Sequence, residues 1–299
     1  MVIFSLFLSV MAYVLVMLGM GSLGKNVFSN TRDQLFFQIV RNFLCVIMMA
    51  VIGHRFLPHG LTLLLAGAMG AASLLSSVSS LACYQYGPVS ISILIFSSMS
   101  MLISSLAGPV FWKESISILQ IIGIVLSVVS MALLTEKSLV QKTSFKWFIF
   151  LILAGIGGGM QGPVQKILAT SAYANENIEF ITYSFVFSTL ASVITYFLIC
   201  RTKKEERITY KIRGTVLLLF LSQTVLAVFL NINNLQLVKD LPTVIFFPAY
   251  TIGGLLITTI ASRFMFKEKM SSRQTGGFIC GLFALLLISG TLDKMIALL

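Results

Sequence analysis

Long apolar segments, each bounded by charged or turn-forming residues, alternate with short polar segments along the whole chain. A helix needs about 20 apolar residues to cross the hydrocarbon core of a bilayer. Ten segments of about this length can be drawn, at residues 2–24, 34–54, 61–85, 88–111, 117–134, 147–169, 178–200, 214–238, 241–264 and 274–292. The pattern therefore predicts ten membrane-crossing helices. The connections are short except at 135–146 and 201–213, which leaves no room for a soluble domain.

An internal repeat constrains the architecture further. A shift of 154 residues aligns residues 88–134 with residues 242–288 without a gap, and 11 of the 47 positions are identical. The identities include Pro88/Pro242, Ala107/Ala261, Lys113/Lys267, Glu114/Glu268, Ser117/Ser271, Gln120/Gln274 and Gly123/Gly277. Each half then holds five crossings, and an odd number forces the second half to lie upside down relative to the first. We expect an all-α polytopic membrane protein of ten transmembrane helices, in two inverted five-helix repeats at 1–138 and 139–299.

The composition indicates a lipid environment. Hydrophobic residues make up 57% of the chain and charged residues only 10%, a balance unlike that of an ordinary soluble domain. The formal net charge is +11, but the basic residues lie almost entirely in the short connections, where they set topology and contact lipid headgroups. No nucleic-acid partner is expected. Cys45, Cys83, Cys200 and Cys280 lie inside apolar spans without metal-ligand spacing, so no disulfide, metal or cofactor is expected.

The chemistry of the spans argues against an enzyme. An enzyme acting at membrane depth needs a nucleophile, a general base or a metal cluster there. The only histidines, His54 and His59, lie in a connection. No Asp or Glu lies in the middle of a span, which also argues against exchange of protons for cations on an intramembrane carboxylate.

The repeated residues resemble those of the drug/metabolite transporter superfamily, specifically its EamA-like group of two five-helix halves. The shared pattern is a proline that opens the fourth helix, an acidic residue after that helix, and a polar and a glycine position in the fifth helix. These positions are Pro88, Glu114, Gln120 and Gly123, and again Pro242, Glu268, Gln274 and Gly277. The resemblance covers nearly the whole chain. It implies a central cavity between the halves, lined mainly by helices 1, 3, 4, 6, 8 and 9, and transport of small metabolites of unspecified identity.

Polar side chains inside the spans must find a partner or face a wet cavity, so they are the candidate substrate contacts. We select Arg41, Tyr84, Gln161, Gln165, Asn231, Asn234 and Tyr250. For the amides the alternative is hydrogen bonding between helices, and for Arg41 it is snorkelling to the headgroups. Phe246, Phe247, Tyr250 and Tyr84 are also candidates for an aromatic cage around a cation.

Small residues spaced by four mark seams where membrane helices pack closely. Ser100, Ser104 and Gly108 form such a row, and we expect helices 4 and 9 to cross there. The glycine-rich run at 155–163 is expected to loosen or break helix 6 and so to line the substrate path. Glu114, like its repeat equivalent, is expected to have a structural role at a helix end rather than to carry protons.

These features predict a secondary active transporter that exports a small organic metabolite, such as an amino acid, by alternating access. The interior basic and amide groups suit zwitterionic, anionic or neutral cargo. The alternatives are a lipid or lipid-linked sugar flippase, and a multidrug or organic-cation exporter. The other expected partners are membrane lipids and a coupling proton or ion, and the protein is expected to act as a monomer or homodimer.

The expected location is multi-pass in the plasma membrane, specifically a bacterial inner membrane. Its orientation there is left open. Members of the EamA-like group that this chain resembles place both termini in the cytoplasm. Here 14 of the 21 basic residues fall on the side opposite the termini, although basic residues ordinarily favour the cytoplasmic side.

Overall fold

The computed structural model describes residues 2–26, 31–53, 57–86, 89–134, 145–202, 214–266 and 271–288. These residues form α-helices joined by short connections, and no strand occurs among them. The helices are α1 (Val2–Asn26), α2 (Thr31–Ile52), α3 (Gly60–Tyr86), α4 (Val89–Trp112), α5 (Ile118–Leu134), α6 (Phe145–Ala169), α7 (Asn177–Thr202), α8 (Gly214–Asp240), α9 (Thr243–Phe266) and α10 (Ser272–Ile288). The all-α class predicted from the apolar pattern is confirmed for this part of the chain.

Five of these helices are long and apolar enough to cross a membrane. Their qualifying stretches are Arg32–Ile52, Gly60–Ser80, Phe145–Ala169, Asn177–Arg201 and Val216–Asp240. The other five contribute shorter apolar stretches of 10–17 residues within the described part of the chain. Large apolar side chains such as Val51 and Ile118 point outward and are 77% exposed, as expected where lipid replaces water as the surrounding medium. The protein is therefore a helical membrane protein.

The helices form two compact units. Unit 1 comprises Met1–Met11, Leu75–Pro163 and Leu237–Leu299, and unit 2 comprises Ala12–Leu74 and Val164–Gln236. Each unit draws residues from both halves of the chain, so this division differs from the halves 1–138 and 139–299, which remain a prediction.

In unit 1, α5 and α10 pack antiparallel along their lengths. At the start of α5, Gln120 Nε2 donates to the Ile288 carbonyl at the end of α10, at 3.3 Å. Nearer the other end, Ser130 Oγ donates to the Gly277 carbonyl at 2.7 Å. Gly123 lies against Ile288, and an added Cβ would come within 2.8 Å of its side chain. Small residues thus let the two backbones approach closely enough for side chain to backbone hydrogen bonds.

The end of α4 meets the start of α9 through a carboxylate. The Glu114 carboxylate accepts hydrogen bonds from the Thr243 backbone N–H at 2.8 Å and from Thr243 Oγ1 at 2.9 Å. Lys113 adopts a φ of 53°, which turns the chain out of α4 and brings Glu114 into place. An anion at a helix N-terminus satisfies a free N–H and interacts favourably with the helix dipole. Glu114 is therefore a structural cap for α9, as the helix-end interpretation predicted.

Glu268, the residue that aligns with Glu114 in the second repeat, lies outside the described residues. The helices themselves nevertheless match. Both α4 and α9 have 24 residues, and both α5 and α10 have 17. In each pair the second helix starts 154 residues after the first, the same shift that aligns the two sequence segments.

The predicted crossing of helices 4 and 9 at Ser100, Ser104 and Gly108 is wrong for the two serines. Ser100 Oγ donates to the Gly155 carbonyl at 3.3 Å, and Ser104 Oγ donates to the Gly159 carbonyl at 2.8 Å, so both face α6. Of the three, Gly108 lies against α9, in contact with Thr243. Helices α4 and α9 do pack together, but through Met101, which shares a buried cluster with Val244 and Ile252, and through the Ser105 carbonyl, which accepts from Thr243 Oγ1 at 3.1 Å. The four-residue spacing identified the packing face of α4 correctly but could not identify its neighbour.

The predicted break in helix 6 is also wrong, because α6 is continuous from Phe145 to Ala169. Its glycines serve as close-packing positions. A Cβ on Gly155 would lie 2.8 Å from Met99, and one on Gly159 would lie 2.6 Å from Ile103. Opening the helix would also leave backbone groups without hydrogen bonds in lipid, which is costly.

Unit 2 is built on an antiparallel pair, α2 and α7. At one end Arg32 Nη2 donates to the Cys200 carbonyl at 3.5 Å, and at the other Gly53 lies against Ile178. An apolar cluster joins this pair to α3, α6 and α8. Its buried members are Cys45, Met49, Leu65, Ala66, Met69, Val164, Leu168, Ala169, Phe180, Ile181, Phe185, Val228 and Leu235.

The close packing of α4 against α6 predicts that one methyl group added at Gly159 destabilises the protein. Gly159→Ala should lower the free energy of unfolding by about 1–3 kcal/mol, the usual cost of overpacking, because the β-branched Ile103 cannot rotate away. The measurement is the thermal unfolding midpoint of the purified protein. Gly276→Ala in α10 is the matched control, since no atom lies within 4 Å of its added Cβ. Equal midpoints for the two variants would contradict close packing at this seam.

Candidate functional site

The candidate site centres on Arg41, on the face of α2 that packs against α8 in unit 2. Phe37, Arg41 and Cys45 are spaced by four residues and so share one face of the helix. The Phe37 ring meets Phe220 of α8 edge-on, with 4.5 Å between centroids, and Cys45 Sγ lies 3.8 Å from the Thr224 carbonyl. Arg41 therefore lies between two contacts that join α2 to α8, at a depth where apolar side chains predominate.

Arg41 is incompletely paired at this position. Its Nη2 donates to Asn42 Oδ1 at 3.3 Å, and its guanidinium carbon lies 5.9 Å from the centre of the Phe37 ring. Its Nε is buried and has no hydrogen-bond partner among the described residues. Within the same residues no carboxylate forms an ion pair with it. A guanidinium in this state retains donors for an anion, and its planar fork matches a carboxylate or phosphate.

Gln223 of α8 lies at the same depth, between Phe220 and Thr224. It is 2% exposed, and its Oε1 has no hydrogen-bond partner in the described part of the chain. Its amide packs over Gly19 of α1, where any larger residue would collide with it. A buried carbonyl oxygen without a partner costs free energy, so this atom is an acceptor available to a donor group on a ligand. Gln223 is not among the residues selected from the sequence, although its position inside an apolar span was an available signal.

The other selected residues are distributed over both units. Asn231 donates through Nδ2 to the Ala227 carbonyl of its own helix at 2.9 Å, and Asn234 is partly buried on the same helix. Gln165, at the end of α6, is 8% exposed. These three lie in unit 2 with Arg41, whereas Gln161 and Tyr250 lie in unit 1. The side chain of Tyr84 lies outside the described residues.

The aromatic residues proposed as a cage pack against one another. Phe246 is 1% exposed and belongs to an apolar cluster with Leu237 and Val238. Its ring stacks on Tyr250 with 5.7 Å between centroids and meets Phe247 at 4.9 Å. Three of the four cage candidates therefore lie together, and the side chain of the fourth, Tyr84, lies outside the described residues.

A polar cluster joins the α2–α3 connection to the α6–α7 connection in unit 2. Glu176 Oε2 accepts from the His59 backbone N–H at 3.1 Å and from Thr62 Oγ1, and Oε1 pairs with His59 Nδ1. The His59 ring stacks on Tyr173 with 4.4 Å between centroids. Burial acts to raise the pKa of Glu176, but the hydrogen bonds from Thr62 and His59 outweigh it and lower that pKa below its ordinary value.

Two buried carboxylates were not predicted from the sequence, because each lies at the start of a helix. Asp33 and Glu179 occupy the first turns of α2 and α7 and are 0% and 9% exposed. In sequence both resemble ordinary boundary residues. The available signal was their shared position at the start of the second helix of each predicted half.

Comparisons with known proteins bear on the fold alone. No protein-family model matches the sequence, and no curated protein matches it. A solved structure described only as "Crystal structure of protein" is similar, with a TM-score of 0.72 and 9% sequence identity. The match covers 95% of this chain and 98% of that chain. The chain thus has a helical fold that is already known from experiment.

The Glu176 cluster predicts a pH-dependent contribution to stability. Because the pKa of Glu176 is lower in the folded protein, its contribution is present above the pKa of the unfolded chain and is lost as pH falls through the folded value. Glu176→Gln should therefore lower the unfolding midpoint near neutral pH, and the difference from wild type should shrink in acid. Thermal unfolding from pH 7 to pH 3 measures this. Asp240→Asn, at the exposed end of α8, is the control, and a difference independent of pH would refute the linkage.

Proposed function

We propose that this protein is a secondary active transporter that exports a small zwitterionic or anionic metabolite, such as an amino acid, by alternating access. The observation that carries the proposal is Arg41, a guanidinium at the α2–α8 contact without a carboxylate partner among the described residues. A cation in an apolar environment is costly and usually marks a site of function. The unpartnered Gln223 Oε1 at the same depth suits the ammonium group of the same substrate.

The packing of α5 and α10 supports an inverted repeat. The amino-acid sequences of α5 and α10 align with each other from start to end, yet the two helices pack antiparallel. Two equivalent helices that pack antiparallel are related by a two-fold axis perpendicular to them, which is the relation expected between inverted halves. The proposal therefore includes ten crossings, the halves 1–138 and 139–299, and membership of the EamA-like group of the drug/metabolite transporter superfamily.

The contacts between connections support the number of crossings. Between His59 and Glu176 the chain passes through α3, α4, α5 and α6, and an even number of crossings returns it to the same side of the membrane. Between Arg32 and Cys200 it passes through six helices, and these residues also meet. A miscount by one helix in either interval would place the partners on opposite sides. A multi-pass location in a bacterial inner membrane is part of the proposal.

The competing functions differ in what they would bind. A lipid-linked sugar flippase would take a substrate with a long apolar chain, and an organic-cation exporter would be disfavoured by the positive charge of Arg41. A panel of amino acids, organic anions, organic cations, nucleosides and lipid-linked sugars separates these possibilities. A compound that binds only the native state raises its unfolding midpoint.

Arg41→Gln should weaken binding of the stabilising amino acid or anion by about 10- to 100-fold, since a hydrogen bond to a charged group contributes about 1.5–3 kcal/mol. Arg41→Lys should bind with intermediate affinity because it keeps the charge but loses the planar fork. Binding is measured by concentration-dependent thermal stabilisation, and transport by efflux from proteoliposomes. Arg201→Gln, an exposed residue near the end of α7, controls for net charge. Stabilisation by cations or lipid-linked sugars alone would overturn the proposal, as would undiminished affinity in Arg41→Gln.

A further inference from the structure

A cleft lies between α2 and α7 in unit 2, at the end of α2 and the start of α7. It has a volume of about 160 Å³ and is lined by Val46, Met49, Ala50, Gly53, Ile178, Glu179, Thr182, Tyr183 and Val186. Gly53 and Ile178 close one end of it, since Gly53 provides the space that the Ile178 side chain occupies. An apolar cavity of about 150 Å³ accommodates a molecule the size of benzene. The cleft is therefore large enough for a small apolar ligand.

Glu179 gives this otherwise mostly apolar cleft a negative charge. The side chain is 9% exposed, and it has no hydrogen bond or ion pair within the described part of the chain. Its position in the first turn of α7 is favourable for an anion, but the helix dipole alone does not pair a buried carboxylate. Buried charges in proteins are ordinarily paired with an opposite charge. The Glu179 carboxylate departs from this rule, because it has no counter-ion among the described residues.

Thr182, one turn further along α7, adds a second acceptor. Its Oγ1 uses its hydrogen to bond the Ile178 carbonyl at 2.7 Å, so the hydroxyl oxygen remains able only to accept. A ligand in this cleft thus meets a carboxylate and a hydroxyl acceptor beside aliphatic and thioether side chains. A primary ammonium attached to a small apolar body satisfies both features.

We infer that the α2–α7 cleft is a binding site for a small apolar primary amine, with the ammonium on Glu179 and the apolar body between Met49, Ala50 and Val186. The site is distinct from the Arg41 region, which lies nearer the start of α2 and attracts the opposite charge. It does not depend on the transport function. The same ammonium chemistry can come from a soluble amine or from the headgroup of an aminophospholipid.

Three compounds of nearly equal shape test this inference on the purified full-length protein in detergent at pH 7.5. Benzylamine is a cation at this pH, benzyl alcohol is neutral and benzoate is an anion. Benzylamine should raise the unfolding midpoint at concentrations at least tenfold lower than benzyl alcohol requires, and benzoate should have no effect through this cleft. Equal potency of benzylamine and benzyl alcohol in the wild-type protein would overturn the inference without the need for any variant.

Two substitutions assign the effect to the cleft. Glu179→Gln should weaken the response to benzylamine at least tenfold and leave the response to benzyl alcohol unchanged, which also shows that the variant is folded. Ala50→Leu should fill the cleft and abolish both responses. Asp240→Asn is the control for loss of a carboxylate elsewhere. A full response to benzylamine in Glu179→Gln would exclude this site.

Added phosphatidylethanolamine distinguishes the two sources of the amine. If the lipid headgroup is the natural ligand, this lipid should stabilise the wild-type protein but not Glu179→Gln, and it should compete with benzylamine. If a soluble amine is the ligand, benzylamine alone should show the dependence on Glu179. Failure of both compounds would refute amine binding, while the response to amino acids through Arg41 would be unaffected.

Discussion

Close approach of helix backbones is the interaction on which this structure depends. Lipid chains are as apolar as leucine side chains, so helices in a bilayer gain little from burying apolar surface against one another. They associate instead through tight packing and hydrogen bonds between helices. Here serine hydroxyls bond across helix contacts to glycine carbonyls, as in Ser104 with Gly159 and Ser130 with Gly277. Gly159 and Gly277 are therefore contact positions in their helices.

The treatment of polar groups follows from the same environment. Many serine and threonine hydroxyls bond to the carbonyl one turn earlier in their own helix, as Ser105 does with Met101 and Thr224 with Phe220. The hydrogen of such a hydroxyl is satisfied locally, so the hydroxyl alone does not indicate a ligand site. Arg41, Gln223 and Glu179 differ, because each is at least partly buried and keeps an atom or a charge without a partner among the described residues. Unsatisfied groups of this kind are the best physical markers of function in an apolar interior.

Sequence patterns predicted the helices well because length and apolar composition are sufficient for that purpose. The expected segment 117–134 became Ile118–Leu134, and 214–238 became Gly214–Asp240. The patterns failed where the outcome depends on which helix is the neighbour. The row at Ser100 and Ser104 identified a packing face but not α6 as its partner. Arg41 was selected from its depth in the span, whereas Glu179 was missed because a charge in a first turn looks like a boundary until the cleft around it is known.

The cap that Glu114 forms on α9 has a consequence for biosynthesis. Glu114 and Thr243 are separated by 129 residues, and synthesis at 5–20 residues per second needs roughly 6–26 s to cover that interval. During this time the end of α4 lacks the helix that its carboxylate caps. A similar delay applies to α5, because Gln120 and its partner Ile288 of α10 are separated by 168 residues. Helices α4 and α5 thus have to remain in the membrane for many seconds without their native packing, until α9 and α10 are synthesised and complete it.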